Sequence, residues 1–179
     1  MTNHMHKYCS NNSDEYYTPA YAVYPILKYL KPNSTIWCPF DTAESNFVKV
    51  LKKEGFNVIY SHIWEDKDFF TTPIPSCDYI ISNPPYSRKG ECINKLFAIG
   101  KPFAMLVSNA GIFESQFRFN MFANNEFEML IFNKRVQYKT PEAGVMARPP
   151  FLSVYITSKL LPKQIVFEQL DTERSCDFK

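Results

Sequence analysis

The sequence predicts an α/β protein: a doubly wound, mostly parallel sheet with helices on both faces. Three observations carry this. Short, continuous apolar runs (residues 35–38, 58–60, 78–82 and 103–108) recur along the chain. Runs of that length and continuity read as strands buried on both sides. Segments of helical periodicity fall between them, as βαβ units require. The chain has 179 residues, 45% of them hydrophobic, which is enough for one core and excludes a disordered chain. The reading divides it into an arm (1–13), one domain (14–170) and a charged, frayed tail (171–179).

The elements follow in order. Thr18 and Pro19 read as helix N-cap and first helical position. Val23, Ile26, Leu27 and Leu30 follow at helical spacing, Pro25 kinks that helix and Pro32 ends it. After the strand at 35–38, residues 39–44 form a turn. Ser45 then caps a helix that buries Phe47, Val50 and Leu51, keeps Lys49, Lys52 and Lys53 outside, and ends at Gly55. The strand at 58–60 leads to a polar turn at 64–67. The strand at 78–82 precedes a helix at 91–99, with Ile93, Leu96 and Phe97 inward and Gly100 as terminator. Residues 103–108 are a further buried strand. Beyond Asn109 the pattern changes. Residues 127–132 and 151–157 read as strands separated by a long polar stretch, and 165–169 as a final edge strand. There is no internal repeat and no low-complexity run.

Composition bounds the function. A net charge of +2 excludes a surface that is basic throughout, so affinity for nucleic acid must come from a local patch. Lys134, Arg135, Lys139 and Arg148, with Tyr138 among them, are the candidates, because cations for phosphate and a ring for stacking are what such a patch needs. Cys9, Cys38, Cys77, Cys92 and Cys176 show no metal-ligand spacing and no C-x-x-C pair, which fits a reduced, intracellular protein. His4 and His6 lie in the arm without acidic or cysteine company, so no metal site is expected. Residues 1–10 are polar, unlike a signal peptide, and no apolar run approaches the roughly 20 residues of a membrane span. The expectation is a soluble protein without membrane association.

The densest chemical signal is Asn83-Pro84-Pro85-Tyr86, directly after the strand at 78–82. The Asn83 side-chain oxygen and the Pro84 carbonyl can accept both hydrogens of one planar amino group, and the Tyr86 ring can stack on the attached plane. Loops leaving the carboxyl ends of parallel strands line the ligand crevice. The loops at 39–44, 61–63 and 83–86 are therefore expected to share one cleft.

On these residues the chain resembles the class I S-adenosylmethionine-dependent DNA adenine-N6 methyltransferases, the Asn-Pro-Pro-Tyr amino-methyltransferases, as a compact phage-type member. The similarity runs from Asp14 to Thr157. It implies a Rossmann-like class I methyltransferase fold, S-adenosyl-L-methionine as cofactor and DNA as partner, with the target adenine flipped into the cleft. Asp14-Glu15-Tyr16-Tyr17-Thr18-Pro19 resembles the family's first motif, so Tyr17, Thr18 and Pro19 are expected at the methionine part of the cofactor. Pro39, Phe40 and Asp41 stand in the cofactor loop, His62 in the loop after the second strand, and Asp68 and Phe69 where the family contacts the cofactor's adenine. Asn83, Pro84, Pro85 and Tyr86 match the catalytic motif without change, with Asn83 also bordering the cofactor. Arg148-Pro149-Pro150-Phe151 resembles the late segment whose ring packs on the flipped base. Tyr86, Lys134, Arg135, Tyr138, Lys139, Arg148 and Phe151 form the expected substrate surface, with residues 109–125 and 134–150 free for target recognition.

Two departures stand out. Residues 37–47 contain no glycine, and Ser61 and His62 occupy the place of the family's ribose-binding acid, with Glu65 and Asp66 a few residues later. The motif leaves RNA or a protein glutamine open as substrate, and it leaves open an inactive relative that binds nucleic acid or a host-defence partner. The resemblance places the protein in the cytoplasm of a bacterial or phage-infected cell; the oligomeric state is not encoded in any motif.

Overall fold

A computed structural model describes residues 17–139, 146–147 and 150–174, with no side-chain description for Lys139, Met146 and Ala147. The fold is α/β, a Rossmann-like doubly wound sheet. Its seven strands run β2 (Asn57–Tyr60), β1 (Thr35–Cys38), β3 (Tyr79–Ser82), β4 (Phe103–Ser108), β8 (Ser153–Ser158), β5 (Glu128–Phe132), β9 (Ile165–Glu168). Strands β1, β2, β3 and β4 pair in parallel, and β5 pairs in parallel with β9. Only β8 is reversed, antiparallel to both β4 and β5. Its first residue, Ser153, therefore stands opposite Ser108, the last residue of β4.

Every residue of β3, β4 and β8 is buried. Side chains alternate between two cores. Cys38, Ile81, Leu106, Leu130 and Tyr155 face one layer with α1 (Tyr24–Leu27) and α2 (Asn46–Lys53). Trp37, Ile80, Met105 and Ile156 face the other with α3 (Lys89–Ile99) and α4 (Gln116–Ala123). Gly55 (φ 86°) and Gly100 (φ 74°) terminate α2 and α3 in the left-handed region, where a side chain would be strained.

The first predicted helix is resolved differently. Residues Ala20–Ala22 form a 3₁₀ turn whose cap is Pro19, and Pro25 lies in the opening turn of the short α1 rather than inside a longer helix. Proline fits there because the first N–H groups of a helix have no intrahelical partner. Thr18 caps nothing; its hydroxyl has a distant partner described below. Helix α4 occupies part of residues 109–125, read above as free for target recognition, and a small two-stranded ladder within the long polar stretch pairs β6 (Tyr138–Lys139) with β7 (Met146–Ala147). Residues 1–13 of the expected arm lie outside the described residues. At the other end, Arg174 lies 3.6 Å from the centre of the Tyr24 ring and 3.7 Å from Glu54. No helix among the described residues is long and apolar enough to cross a membrane.

The sheet is tied to the Ala20–Ala22 turn by Tyr155, fully buried on β8, whose hydroxyl donates to the Ala22 carbonyl at 3.0 Å. Tyr155→Phe orphans that carbonyl inside the core and should destabilise the fold by about 1–3 kcal/mol. A denaturant titration is expected to show a lower midpoint with an unchanged slope.

Candidate active site

β1 has β2 on one side and β3 on the other. The chain winds outward in one direction through β2 and in the other through β3 and β4. The loops leaving β1 and β3 diverge from that switch point, and ligands of such sheets bind there. The loop after β1 is the one that lacks glycine. None of residues 39–45 adopts a positive φ. Hydroxyls shape the loop instead: Ser45 Oγ accepts from Thr42 N at 3.0 Å, and Thr42 Oγ1 accepts from Glu44 N at 3.3 Å. Ser45 thus opens α2 without capping it by its side chain. The loop is sewn to the one after β2, with Asp41 N donating to the Ser61 carbonyl and Ser61 N to the Cys38 carbonyl, both at 3.1 Å.

Asp41 sits in the loop after β1, beside the switch point. Its carboxylate is buried and accepts a hydrogen bond from Ser82 Oγ, on the last residue of β3. Burial pushes its pKa up to about 6, against the hydrogen bonds from Ser82 and Ser45. Among the described residues no cation pairs with it. An anion of this kind fits a cationic ligand, which would supply the missing countercharge.

Asn83 follows Ser82 directly. Its Nδ2 donates to Thr18 Oγ1 at 3.1 Å, and the Thr18 carbonyl accepts from Asn46 Nδ2 of α2 at 2.8 Å. Thr18 is buried; Tyr17, just before it, is half exposed. With the amide nitrogen committed to Thr18, Oδ1 points away from that partner. Neither Asn83 Oδ1 nor the Pro84 carbonyl accepts a hydrogen bond among the described residues, so two adjacent acceptors stand unfilled.

Tyr86 lies in a 3₁₀ turn over Tyr86–Arg88 and is 38% exposed. Its ring centre is 5.6 Å from that of Phe151, with the planes tilted by 34°. Phe151 reaches this edge because β8 runs backwards and begins there. The two rings therefore meet across a sequence gap of 65 positions, counted as 151 − 86.

The remaining expected residues divide. Pro39 is buried and Phe40 half-buried, the latter packed 5.0 Å from Phe69. Phe69 is 1% exposed and also meets Trp37, so its ring belongs to the core beneath the crevice. Asp68 shapes its own turn, its carboxylate accepting from Phe70 N at 2.9 Å, while Lys95 of α3 pins the carbonyls of Phe69 and Phe70 at 2.8 and 2.9 Å. His62 accepts from Trp64 N through Nδ1 at 3.2 Å, and burial lowers its pKa against the pull of Glu65. Lys134 and Arg135 are exposed just after β5, on the edge that carries Asn83. Tyr138 is buried, its hydroxyl 2.7 Å from Ser153 Oγ. The Lys139 side chain and Arg148 lie outside the described residues. Sequence reasoning missed Ser82 and Asn46. A serine closing an apolar strand directly before Asn83 was a visible signal; Asn46 shows only in three dimensions. Among the described residues, no group of three or more His, Cys, Asp or Glu is placed to hold a metal ion. A groove of about 290 Å³ on the α1 side, lined by Tyr24, Lys28, Glu54 and Arg174 among others, includes none of these residues.

No protein-family model matches the chain. No curated protein matches it. Among solved structures it is similar to the crystal structure of TrmN from Thermus thermophilus, with 16% identity and a TM-score of 0.44. That alignment covers 79% of this chain and 48% of the other, so the chain spans about half the length of that protein.

The buried carboxylate sets a pH dependence. Because the folded-state pKa of Asp41 is raised from 3.8 to about 6, the folded protein holds this proton more tightly than the unfolded chain. The contribution is fully present below about pH 4 and lost as pH rises through about 6. Two pKa units at 1.36 kcal/mol each make it about 3 kcal/mol. Melting temperature followed from pH 7.5 to pH 4 should show this rise for the parent relative to Asp41→Asn, and the variant should be the more stable at pH 7.5. Parallel curves would remove the cost assigned to the charge.

Proposed function

We propose that the protein methylates an exocyclic amine of a nucleobase, N6 of adenine in DNA, using S-adenosyl-L-methionine. The observation that carries this is the pair of unfilled acceptors at Asn83 and Pro84, oriented by the hydrogen bond from Asn83 to Thr18. A flat –NH2 offers two coplanar donors, and two neighbouring oxygens at a strand end match them. Accepting both hydrogens keeps electron density on the amine nitrogen. When that nitrogen bonds a methyl carbon it gains positive charge before losing a proton, and the two oxygens meet that charge only as it develops, which is the condition for lowering the barrier.

Tyr86 and Phe151 supply stacking surface beside the acceptors. Stacking on an aromatic side chain is worth about 1–3 kcal/mol per base, and it offsets part of the few kcal/mol that base flipping requires. Lys134 and Arg135, exposed on the same edge, suit phosphate contact and favour a nucleic acid over a protein substrate. S-adenosylmethionine, when bound, supplies a methyl group activated on a sulfonium. Asp41, Phe40 and the Thr18 region would hold it, since the uncompensated carboxylate of Asp41 suits a cation. The hydroxyl-shaped loop offers no glycine for close backbone approach, so the carboxylate and the aromatic ring carry more of the binding than loop amides do.

Asn83→Ala should lower methyl transfer by at least about a hundredfold, the scale seen when a preorganised electrostatic contact is removed, while the lost hydrogen bond to Thr18 destabilises the fold by only about 1–3 kcal/mol and leaves it folded at assay temperature. The assay is nucleoside mass spectrometry of DNA and RNA digested after incubation with labelled cofactor. Label in RNA alone would move the substrate class. A variant as fast as the parent would sink the mechanism, and no heat on titrating the parent with millimolar S-adenosylmethionine would sink the enzyme.

A further inference from the structure

Lys89 is a buried cation with no part in the chemistry above. It opens α3 and is only 3% exposed, although lysine is rarely buried without a partner charge. Its Nζ donates to the Ala110 carbonyl at 2.5 Å and to the Ser108 carbonyl at 3.5 Å, both at the end of β4 or just beyond it. The same Nζ lies 4.5 Å from the centre of the Tyr86 ring. No carboxylate forms an ion pair with it among the described residues. From α4, Arg118 donates to the neighbouring Gly111 carbonyl at 2.6 Å. Arg118 also packs so closely on α3 that a Cβ on Gly90 would stand 3.0 Å from its Nε. Two cations thus converge on the carbonyls of one loop. Burial lowers the Lys89 pKa, Arg118 adds to that, and Glu114 opposes it.

Burying an ammonium costs free energy that carbonyl hydrogen bonds only partly offset. Methionine would fill the same length without that cost. What the charge adds is attraction for the face of an aromatic ring, strongest where water is excluded. Tyr86 needs such a hold. It sits in a three-residue turn with no side-chain cap, more than a third exposed, and its one ring neighbour among the described residues, Phe151, comes from a distant segment.

We propose that Lys89 is the positioning residue for Tyr86, holding the ring in its stacking orientation and tying it to the loop that leaves β4. The proposal rests on the reading of Tyr86 as the ring that receives the base. A preset ring surrenders less rotamer freedom when a base arrives.

A double-mutant cycle tests it. Lys89→Met should stay folded and keep the affinity for S-adenosylmethionine within about twofold, while kcat/KM for DNA falls about tenfold. In a Tyr86→Ala background the same change should cost less than about twofold, because the ring it serves is gone. Equal losses in both backgrounds, or an unimpaired single variant, would overturn the proposal. If Lys89→Met does not fold, Lys89→Gln is read the same way, since it keeps a donor for the carbonyls and removes the cation. A second readout needs no turnover: with 3-fluorotyrosine incorporated, the ¹⁹F resonance of Tyr86, assigned through Tyr86→Phe, should shift or broaden in the Lys89 variant while the other signals stay. A stationary Tyr86 signal overturns the proposal. If the parent transfers no methyl group, the functional reading fails by itself and this resonance alone decides the positioning.

Discussion

The hydrogen bond from Asn83 Nδ2 to Thr18 Oγ1 joins two segments separated by 65 residues and turns the amide oxygen away from Thr18. With Nδ2 held there, Oδ1 is left as an acceptor without a partner among the described residues. Thr18 is fixed in turn through Asn46 of α2, so the segment before α1, the helix after the β1 loop and the end of β3 lock into one unit. Ser82 adds the next link by bonding Asp41 across the switch point. The orientation of one side-chain amide is thereby set by three parts of the fold at once.

Charge is distributed around that unit in an uneven way. Asp41 is a buried anion on the side of β1, and Lys89 a buried cation on the side of β4. Neither has an ion-pair partner among the described residues. Buried charges left uncompensated are costly for the fold and are kept where a site uses them. The anion stands in the loop after β1. The cation stands behind a ring. Both costs fall within the loops that leave the sheet's carboxyl edge, and the strands beneath them are apolar.

Much of the scaffold was legible in the sequence, because buried parallel strands advertise themselves as continuous apolar runs. Thr35–Cys38 and Phe103–Ser108 coincide with their strands, and the ends of α2 and α3 follow from Gly55 and Gly100. Helix α4 was not legible: Phe117 and Phe119 are exposed while Met121 and Phe122 are buried, so no apolar stripe marks its face. The start of the chain was misleading for a different reason. Thr18-Pro19 has the look of a helix cap, but the Thr18 hydroxyl is taken by a partner 65 residues away, which local pattern cannot reveal. Of the candidate site, the Asn83-Pro84-Pro85-Tyr86 segment was singled out by residue type and spacing. Its supports, Ser82 and Asn46, were not, because a polar residue acquires such a role only through its neighbours in space. Tyr138 illustrates the converse, since a tyrosine among basic residues suggested a surface ring and the structure buries it against Ser153.

The reversal of β8 has a consequence for variation. β5 leaves the sheet at the edge where β8 enters it, and Tyr138 and Ser153 clip the two ends of the intervening excursion together. A loop closed at its neck can lengthen at little cost, since closure entropy grows only with the logarithm of length. Insertions between Tyr138 and Phe151 therefore leave strand register and the anchored amide untouched. Length and register are separable in this architecture: one peripheral stretch can grow while the strand pairing beside it stays as it is.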